Sequence, residues 1–232
     1  MRFGKNLQFM RKMHDAMTQE ELAEKMDVSR QTISKWEMGN AYPEIEKAVA
    51  LSDFFNCTLD ELFKGDMDFG SSAYHDIRIE ELEPFQYVRY AVISHMPEDD
   101  AMTHIGNWAK AQGIAQPDII GWDFPFVSQE QINVYHMHGY CAACIIPKAC
   151  NVKDTEVISQ PKAKYAAITI DHPFSNPFSL IPNAYKTLLR YIDVNGLKSD
   201  PVGEILDCFE RVYEKNGVPC MDVYIALNSK FR

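Results

Sequence analysis

Arg30, Gln31, Ser34 and Lys35 stand within six residues of one another in a stretch that reads as helix. An arginine can bridge the O6 and N7 atoms of guanine, a glutamine amide can do the same for adenine, and serine and lysine can reach bases or phosphates. Thr32 lies among them, Ser29 is placed to cap the stretch, and Gln19 opens an earlier helix, where free amides favour a phosphate. A second group pairs an acid with aromatics. In the strand-like run 207–214, Cys208, Glu210 and Val212 share one face and Phe209 and Tyr213 the other, so Glu210 can point into a cleft while the aromatics pack. Aromatic faces attract cations and a partly buried carboxylate supplies the charge partner. Trp122, Tyr224, Tyr140, Trp108, Tyr90 and Tyr165 are the lining candidates. The plain alternatives are that the aromatics are core and that Glu210 makes a surface salt bridge. A third group is His136, His138, Cys141, Cys144 and Cys150. Cys-x-x-Cys beside histidine is the vocabulary of zinc or copper sites. In a strand, though, Cys141 and Cys144 fall on opposite faces, and no second such pair exists. Buried small cysteines are the simpler reading, with His136 and His138 the better metal pair. A haem-responsive reading rests on the same two histidines. No cofactor is expected.

Elements must hold these groups in place. Start and stop signals set five short helices in the first 65 residues. The first is Phe3–His14. Thr18-Gln19-Glu20-Glu21 is a capping box that opens a second helix, to about Met26. Ser29 caps a third, Arg30–Met38, which Gly39 stops. Pro43 precedes a fourth, Glu44–Phe55, and Thr58-Leu59-Asp60-Glu61 caps a fifth. Leu7, Leu22, Ala23, Val28, Ile33, Trp36, Ile45, Val49, Leu59 and Leu62 form the expected core. Ala23 lets the third helix cross the second closely, the arrangement that projects a helix into the major groove. A solvated interaction bundle is the alternative that polarity alone leaves open.

Thr18-Gln19-Glu20-Glu21-Leu22-Ala23, the run Val28–Glu37, Gly39, Pro43 and Leu59-Asp60-Glu61-Leu62-Phe63 together closely resemble the XRE family of Cro/repressor-like DNA-binding domains, over residues 3–63 without a gap. The resemblance implies that Gln19, Arg30, Gln31, Thr32, Ser34 and Lys35 face DNA and that Trp36 and Asn40 lie beside its backbone. It also implies a homodimer on a palindromic double-stranded operator, since such modules bind two half-sites about one helical turn apart.

Beyond a Gly/Ser/Asp-containing linker at 66–76 the pattern changes. Strands are expected at 77–82, 86–94, 118–124, 132–146, 155–160, 164–171, 207–214 and 221–227, and helices at 97–112 and 177–195. The helical stripes are Met102, Ile105, Trp108 and Ala109, and Leu180, Ala184, Leu188, Leu189 and Ile192. Strand, helix, strand, strand, repeated once, implies an α+β domain over 77–232 with two helices on one side of an antiparallel sheet. This order, with Gly121-Trp122, Phe124-Pro125, Tyr140, Phe209-Glu210-Arg211-Val212-Tyr213 and the strand 221–227, resembles the GyrI-like effector-binding domain. Ala226, where relatives carry proline, and the run 174–182 depart from it. The resemblance implies an aromatic cleft with Glu210 as the ligand-contacting acid.

Composition agrees with a globular chain: of 232 residues, 46% are hydrophobic and 24% charged. The N-terminus lacks a signal-peptide core and no run is long enough for a membrane helix, so a cytoplasmic protein without membrane partners is expected. The net charge of -10 argues against a broadly basic nucleic-acid binder. Residues 1–65 carry only -2 of it, so the acid sits mostly beyond them. The reading is an all-α five-helix DNA-binding domain joined to an α+β sensor of a small, cationic organic molecule. The alternatives are a hydrolase of a reactive small molecule, with Glu210 activating water, and a metal- or haem-responsive regulator. A Ser/Lys self-cleaving repressor finds no candidate residues.

Overall fold

The computed structural model describes residues 2–67, 72–148, 150–153, 155–199 and 204–228. Residues 68–71 of the expected linker lie outside them. The chain forms two compact units. The first holds the described residues of Met1–Tyr74 together with Asn176–Ser199, and the second runs over His75–Ser175 and the described residues that follow 199.

The first unit opens with α1 (Phe3–Met13), α2 (Gln19–Met26), α3 (Arg30–Glu37), α4 (Ile45–Phe54) and α5 (Leu59–Lys64). Both expected capping boxes form: Thr18 Oγ1 accepts from the Glu21 amide at 3.2 Å while the Glu21 carboxylate accepts from the Thr18 amide at 2.6 Å, and Thr58 and Glu61 repeat the pattern. Ser29 Oγ accepts from the Thr32 amide at 3.1 Å and starts α3. Leu7, Leu22, Ala23, Ile33, Trp36 and Leu62 are buried as expected. Ile45, Val49 and Leu59 are exposed instead, and Val28 is half-buried. The reason is that α4 carries two apolar stripes at helical spacing. Packing chose Ala48, Leu51, Ser52 and Phe55, leaving Ile45 81% exposed. Phe3, Met10, Met13 and Met26 complete the core. Gly4 marks a close approach of α1 to the end of α3: a Cβ there would meet the carbonyl oxygens of Glu37 and, at 2.6 Å, Trp36. Asn6, 1% exposed, turns its amide onto the carbonyls of Glu61, Leu62 and Gly65 at the end of α5, where the helix runs out of amide donors.

The second unit is an α+β structure around one eight-stranded sheet. Its strands are β1 (Tyr74–Leu82), β2 (Phe85–Ser94), β3 (Asp118–Asp123), β4 (His138–Ile145), β5 (Ile158–Gln160), β6 (Ala163–Asp171), β7 (Cys208–Lys215) and β8 (Val218–Ala226). Helices α6 (Pro97–Ala111) and α7 (Gln129–Asn133) lie between β2 and β3 and between β3 and β4, and α8 (Pro177–Val194) between β6 and β7 in the sequence. The order β1-β6-β8-β7-β3-β4-β2-β5 contains two three-stranded sets, β6-β8-β7 and β3-β4-β2, that mirror each other about the β7–β3 seam. The repeated strand-helix-strand-strand order thus folds into a pseudo-two-fold sheet, and the registered pairs are antiparallel. At the seam Ile120 faces Arg211 and Gly121 faces Glu210.

The expected strand at 132–146 is shorter than read. Ser128-Gln129-Glu130-Gln131 is a capping box, with Gln131 Oε1 accepting from the Ser128 amide at 2.9 Å, and it turns 129–133 into helix. The last strand starts earlier than expected, because Asn216-Gly217, both at positive φ, makes a two-residue hairpin that pairs Lys215 with Val218. On α6 the buried line is Ala101, Ile105 and Ala109, with Met102 and Trp108 half-buried beside it, since small alanines let the helix lie close to β2 and β4. On α8 Ala184, Leu188 and Ile192 are buried as expected, while Leu189 is exposed and Thr187 buried, so the stripe extends on its Thr187 flank instead. Among the described residues no helix is long and apolar enough to cross a membrane.

Candidate functional sites

Arg30, Gln31, Lys35, Ser29 and Asn40 are exposed, and Thr32 and Ser34 half-buried, so α3 presents a continuous polar face. Arg30 lies 3.8 Å from Glu20 on α2, a loose pair between side chains more than half exposed, which a stronger anion can displace. Trp36 is 4% exposed, so its indole belongs to the core and is no part of that face. Gln19 does not stand free. Its amide donates to Glu37 Oε2 at 2.8 Å. The Glu37 carboxylate, 2% exposed, also takes Arg11 Nε at 2.6 Å and Arg11 Nη2 at 3.1 Å, and Arg11 Nη1 donates to the Met17 carbonyl. One buried fork therefore ties α1, the α1–α2 turn, α2 and α3 together. It fixes the crossing angle that projects α3. Neither Arg11 nor Glu37 stands out as a pair in the sequence, being 26 residues apart. The signal was an acid at the end of α3, where a helix end disfavours negative charge unless something compensates it.

The second site lies on the sheet. Strand alternation divides the expected lining residues between two faces. Tyr90 and Tyr140 pack with α6 and its Trp108, and Glu210 shares that face through its pairing with Gly121. Trp122, Tyr165 and Tyr224 lie on the opposite face, in a cluster with Tyr87, Ile120 and Phe209. Phe209 stacks on Tyr224 with ring centres 4.6 Å apart. The Tyr224 hydroxyl enters a polar network with Asp222, Arg78 and Glu80. Tyr165 and Tyr224 are packed as core is packed, and Trp122 lies half-buried against the same cluster.

On the α6 face, Tyr140 is the centre. Its phenol crosses the seam and donates to Glu210 Oε2 at 3.3 Å. The space it crosses exists because residue 121 is glycine: a Cβ there would collide with the Tyr140 hydroxyl and lie 2.7 Å from Cε1 and Cζ. Burial pushes the Tyr140 phenol well above its ordinary range, and Glu210, Asp123 and Glu98 add to the shift. It stays neutral and a donor. Burial raises the Asp123 carboxyl too, with Glu98 adding to the shift and His138 opposing it. The charges that act on the phenol are thus all carboxylates. Tyr90, on the same face, stacks on His104 of α6 with ring centres 3.6 Å apart. Glu98 is hidden in the sequence because the acidic first turn of α6 reads as a helix-start signal, and Asp123 because it meets the phenol only through the β3–β4 pairing.

The Cys/His group does not assemble. His138 lies in β4, but His136 precedes it in a left-handed turn at φ 52°. Cys141 and Cys144 are buried on opposite faces of β4, and burial pushes both thiols up to about 11. Among the described residues no three or more His, Cys, Asp or Glu side chains are grouped to hold a metal.

Comparison with known proteins settles the first site's family. A helix-turn-helix family model matches residues 8–62. Over 57 residues the chain is 39% identical to an uncharacterised HTH-type transcriptional regulator of Methanocaldococcus jannaschii, covering 25% of this chain and 85% of that one. The chain belongs to the helix-turn-helix transcription regulators. Over 66 residues the regulator is 47% identical to the HTH-type transcriptional activator BcrR of Enterococcus faecalis, covering 28% of this chain but only 32% of the activator's length. The crystal structure of the EcmrR C-terminal domain is similar over 66% of this regulator and 97% of that chain, at 10% identity and a TM-score of 0.46, too slight a likeness to carry an argument.

Proposed function

We propose that this regulator binds a palindromic double-stranded operator as a cytoplasmic homodimer, through Arg30, Gln31, Thr32, Ser34 and Lys35 with Gln19, Ser29 and Asn40 on the phosphates. A small cationic organic effector, held on the α6 face of the sheet at Glu210 and Tyr140, changes that binding. The domains of this reading are the DNA-binding domain 1–65, the linker 66–76 and a GyrI-like effector domain 77–232.

The observation that carries the effector half is the Tyr140–Glu210 bond across the side-chain-free seam at Gly121, within a field of carboxylates. An organic cation gains from both the aromatic ring and the carboxylate, and a partly shielded site makes each worth more than in water. Binding becomes regulation through a difference in effector affinity between two states of the protein. Sensing, rather than hydrolysis, is the proposed role of Glu210.

Tetraphenylphosphonium is the test ligand. The wild-type chain is expected to bind it and to change its affinity for a duplex selected from random sequence. Glu210→Gln is expected to weaken that binding at least tenfold. Binding that ignores Glu210→Gln overturns the site. Chemical turnover of a bound compound, abolished by the same substitution, replaces sensing by catalysis.

A further inference from the structure

Helix α8 lies between β6 and β7 in the sequence, yet its contacts place it in the compact unit of the DNA-reading helices. Two bonded points hold it there. Arg190 Nη2 donates to Glu61 Oε1 at 2.8 Å, with the arginine side chain only 15% exposed. Glu61 already closes the capping box of α5, so the arginine grips the end of that helix. At the far end of α8, Asn195 Nδ2 donates to the Met13 carbonyl at 2.9 Å, an oxygen that also accepts from the Asp15 amide at the end of α1. Separately from those helices, the hydroxyl of Tyr74, the residue that ends the first unit's N-terminal segment, donates to the Leu180 carbonyl at 2.8 Å.

Two features make this docking more than a packing detail. It engages α1 and α5 and leaves Arg30, Gln31 and Lys35 of α3 exposed, so it is compatible with DNA on that face. It is also incompletely satisfied. Among the described residues, His14 Nδ1 and Asn195 Oδ1 are the buried side-chain polar atoms without a hydrogen-bond partner, and Asn195 meets α1 at the residue next to His14. A junction that is bonded yet leaves buried polar atoms unpaired has a second arrangement within reach, because an alternative that satisfies them recovers their desolvation cost. Only residues 172–176 separate β6 from α8. Five residues span about 18 Å at full extension, so a displacement of that end of β6 cannot be absorbed without limit before it moves α8.

We propose that α8 is the arm through which effector binding reaches the DNA-reading helices, held to them by Arg190–Glu61 and Asn195–Met13. The proposal rests on the sensor reading above. It assigns the path of the signal to a helix from the far part of the sequence rather than to the linker after α5.

The test uses the full chain. Arg190→Glu sets a carboxylate against Glu61, Arg190→Lys keeps the pair, and Asn195→Ala removes the bond to Met13 without adding charge. In Arg190→Glu, hydrogen exchange at the end of α1 and in α5 is expected to rise about tenfold, with sheet amides unchanged as the control for folding. Tetraphenylphosphonium affinity stays at the wild-type value in all three. The effector-induced change in affinity for the selected duplex, about tenfold for a coupling of ordinary size, falls below about twofold in Arg190→Glu. It is kept in Arg190→Lys and is intermediate in Asn195→Ala. Unchanged exchange in Arg190→Glu overturns the docking, and a full effector response despite faster exchange overturns the arm. A wild-type chain that binds no tetraphenylphosphonium overturns the sensor reading instead, with the exchange data separating the two failures.

Discussion

The helical module and the sheet solve opposite problems. In the module, the residues proposed to read bases lie on one short helix, so their neighbourhood in sequence is also their neighbourhood in space. On the sheet, Tyr140, Gly121 and Glu210 come from three strands and meet only because β3 pairs with both β4 and β7. The module's polar face is carried by a buried ion pair underneath it, whereas the sheet's site is made by an absent side chain. Short-range patterning therefore specifies the first kind of site and leaves the second almost unmarked.

The sharpest way to break that comparison is to remove the support under α3. Arg11→Ala leaves the Glu37 carboxylate buried without its cation, and a loss of about 3–5 kcal/mol in unfolding free energy is expected. Urea titration of the full chain measures it, and a loss under 1 kcal/mol shows that the fork is incidental. Next in size, Arg30→Ala combined with Gln31→Ala is expected to weaken specific DNA binding by about 100-fold, each bidentate base contact being worth about 1–3 kcal/mol. The helix content should not change, since both side chains are exposed. Sequence-specific binding that survives places recognition elsewhere.

On the sheet, Gly121→Ala should cost about 1–3 kcal/mol through the collision with Tyr140, and should weaken tetraphenylphosphonium binding in parallel. Loss of stability with unchanged probe binding separates the seam from the site. A smaller effect is expected from pH. The Thr58 amide and Arg190 hold the Glu61 carboxyl down at about 2, below its ordinary 4.5. A depressed folded-state value stabilises the fold at pH above about 4.5 and loses that contribution as pH falls toward 2. Glu61→Gln should remove this part of the acid limb and cost about 0.5–1 kcal/mol at neutral pH, because the pair is partly exposed. An acid limb identical in both proteins rules the group out. Smallest of all, Cys57, Cys141 and Cys144, each pushed up to about 11 by burial, should react with iodoacetamide at pH 8 far more slowly than after unfolding.

Legibility followed the same divide. Caps at Thr18, Ser29 and Thr58 announced three helix starts correctly, because capping is a local hydrogen bond between residues three apart. The equivalent boxes at Ser128 and the Asn216-Gly217 hairpin were just as local, and reading them would have corrected β4 and β8. The choice of buried face on α4 was not legible, since Ile45 and Leu51 fit helical spacing equally well and only the neighbouring helices decide between them.

The sequence by itself determined the order of the elements, the helix-turn-helix and the polar row on α3, because each depends on interactions within a few residues. Tertiary structure alone decided that Trp122, Tyr165 and Tyr224 turn away from Glu210, that Glu37 anchors Gln19, and that α8 docks on α1 and α5. Each of those outcomes depends on strand register or on a partner distant in the chain, and the periodicity of a single segment carries no information about either.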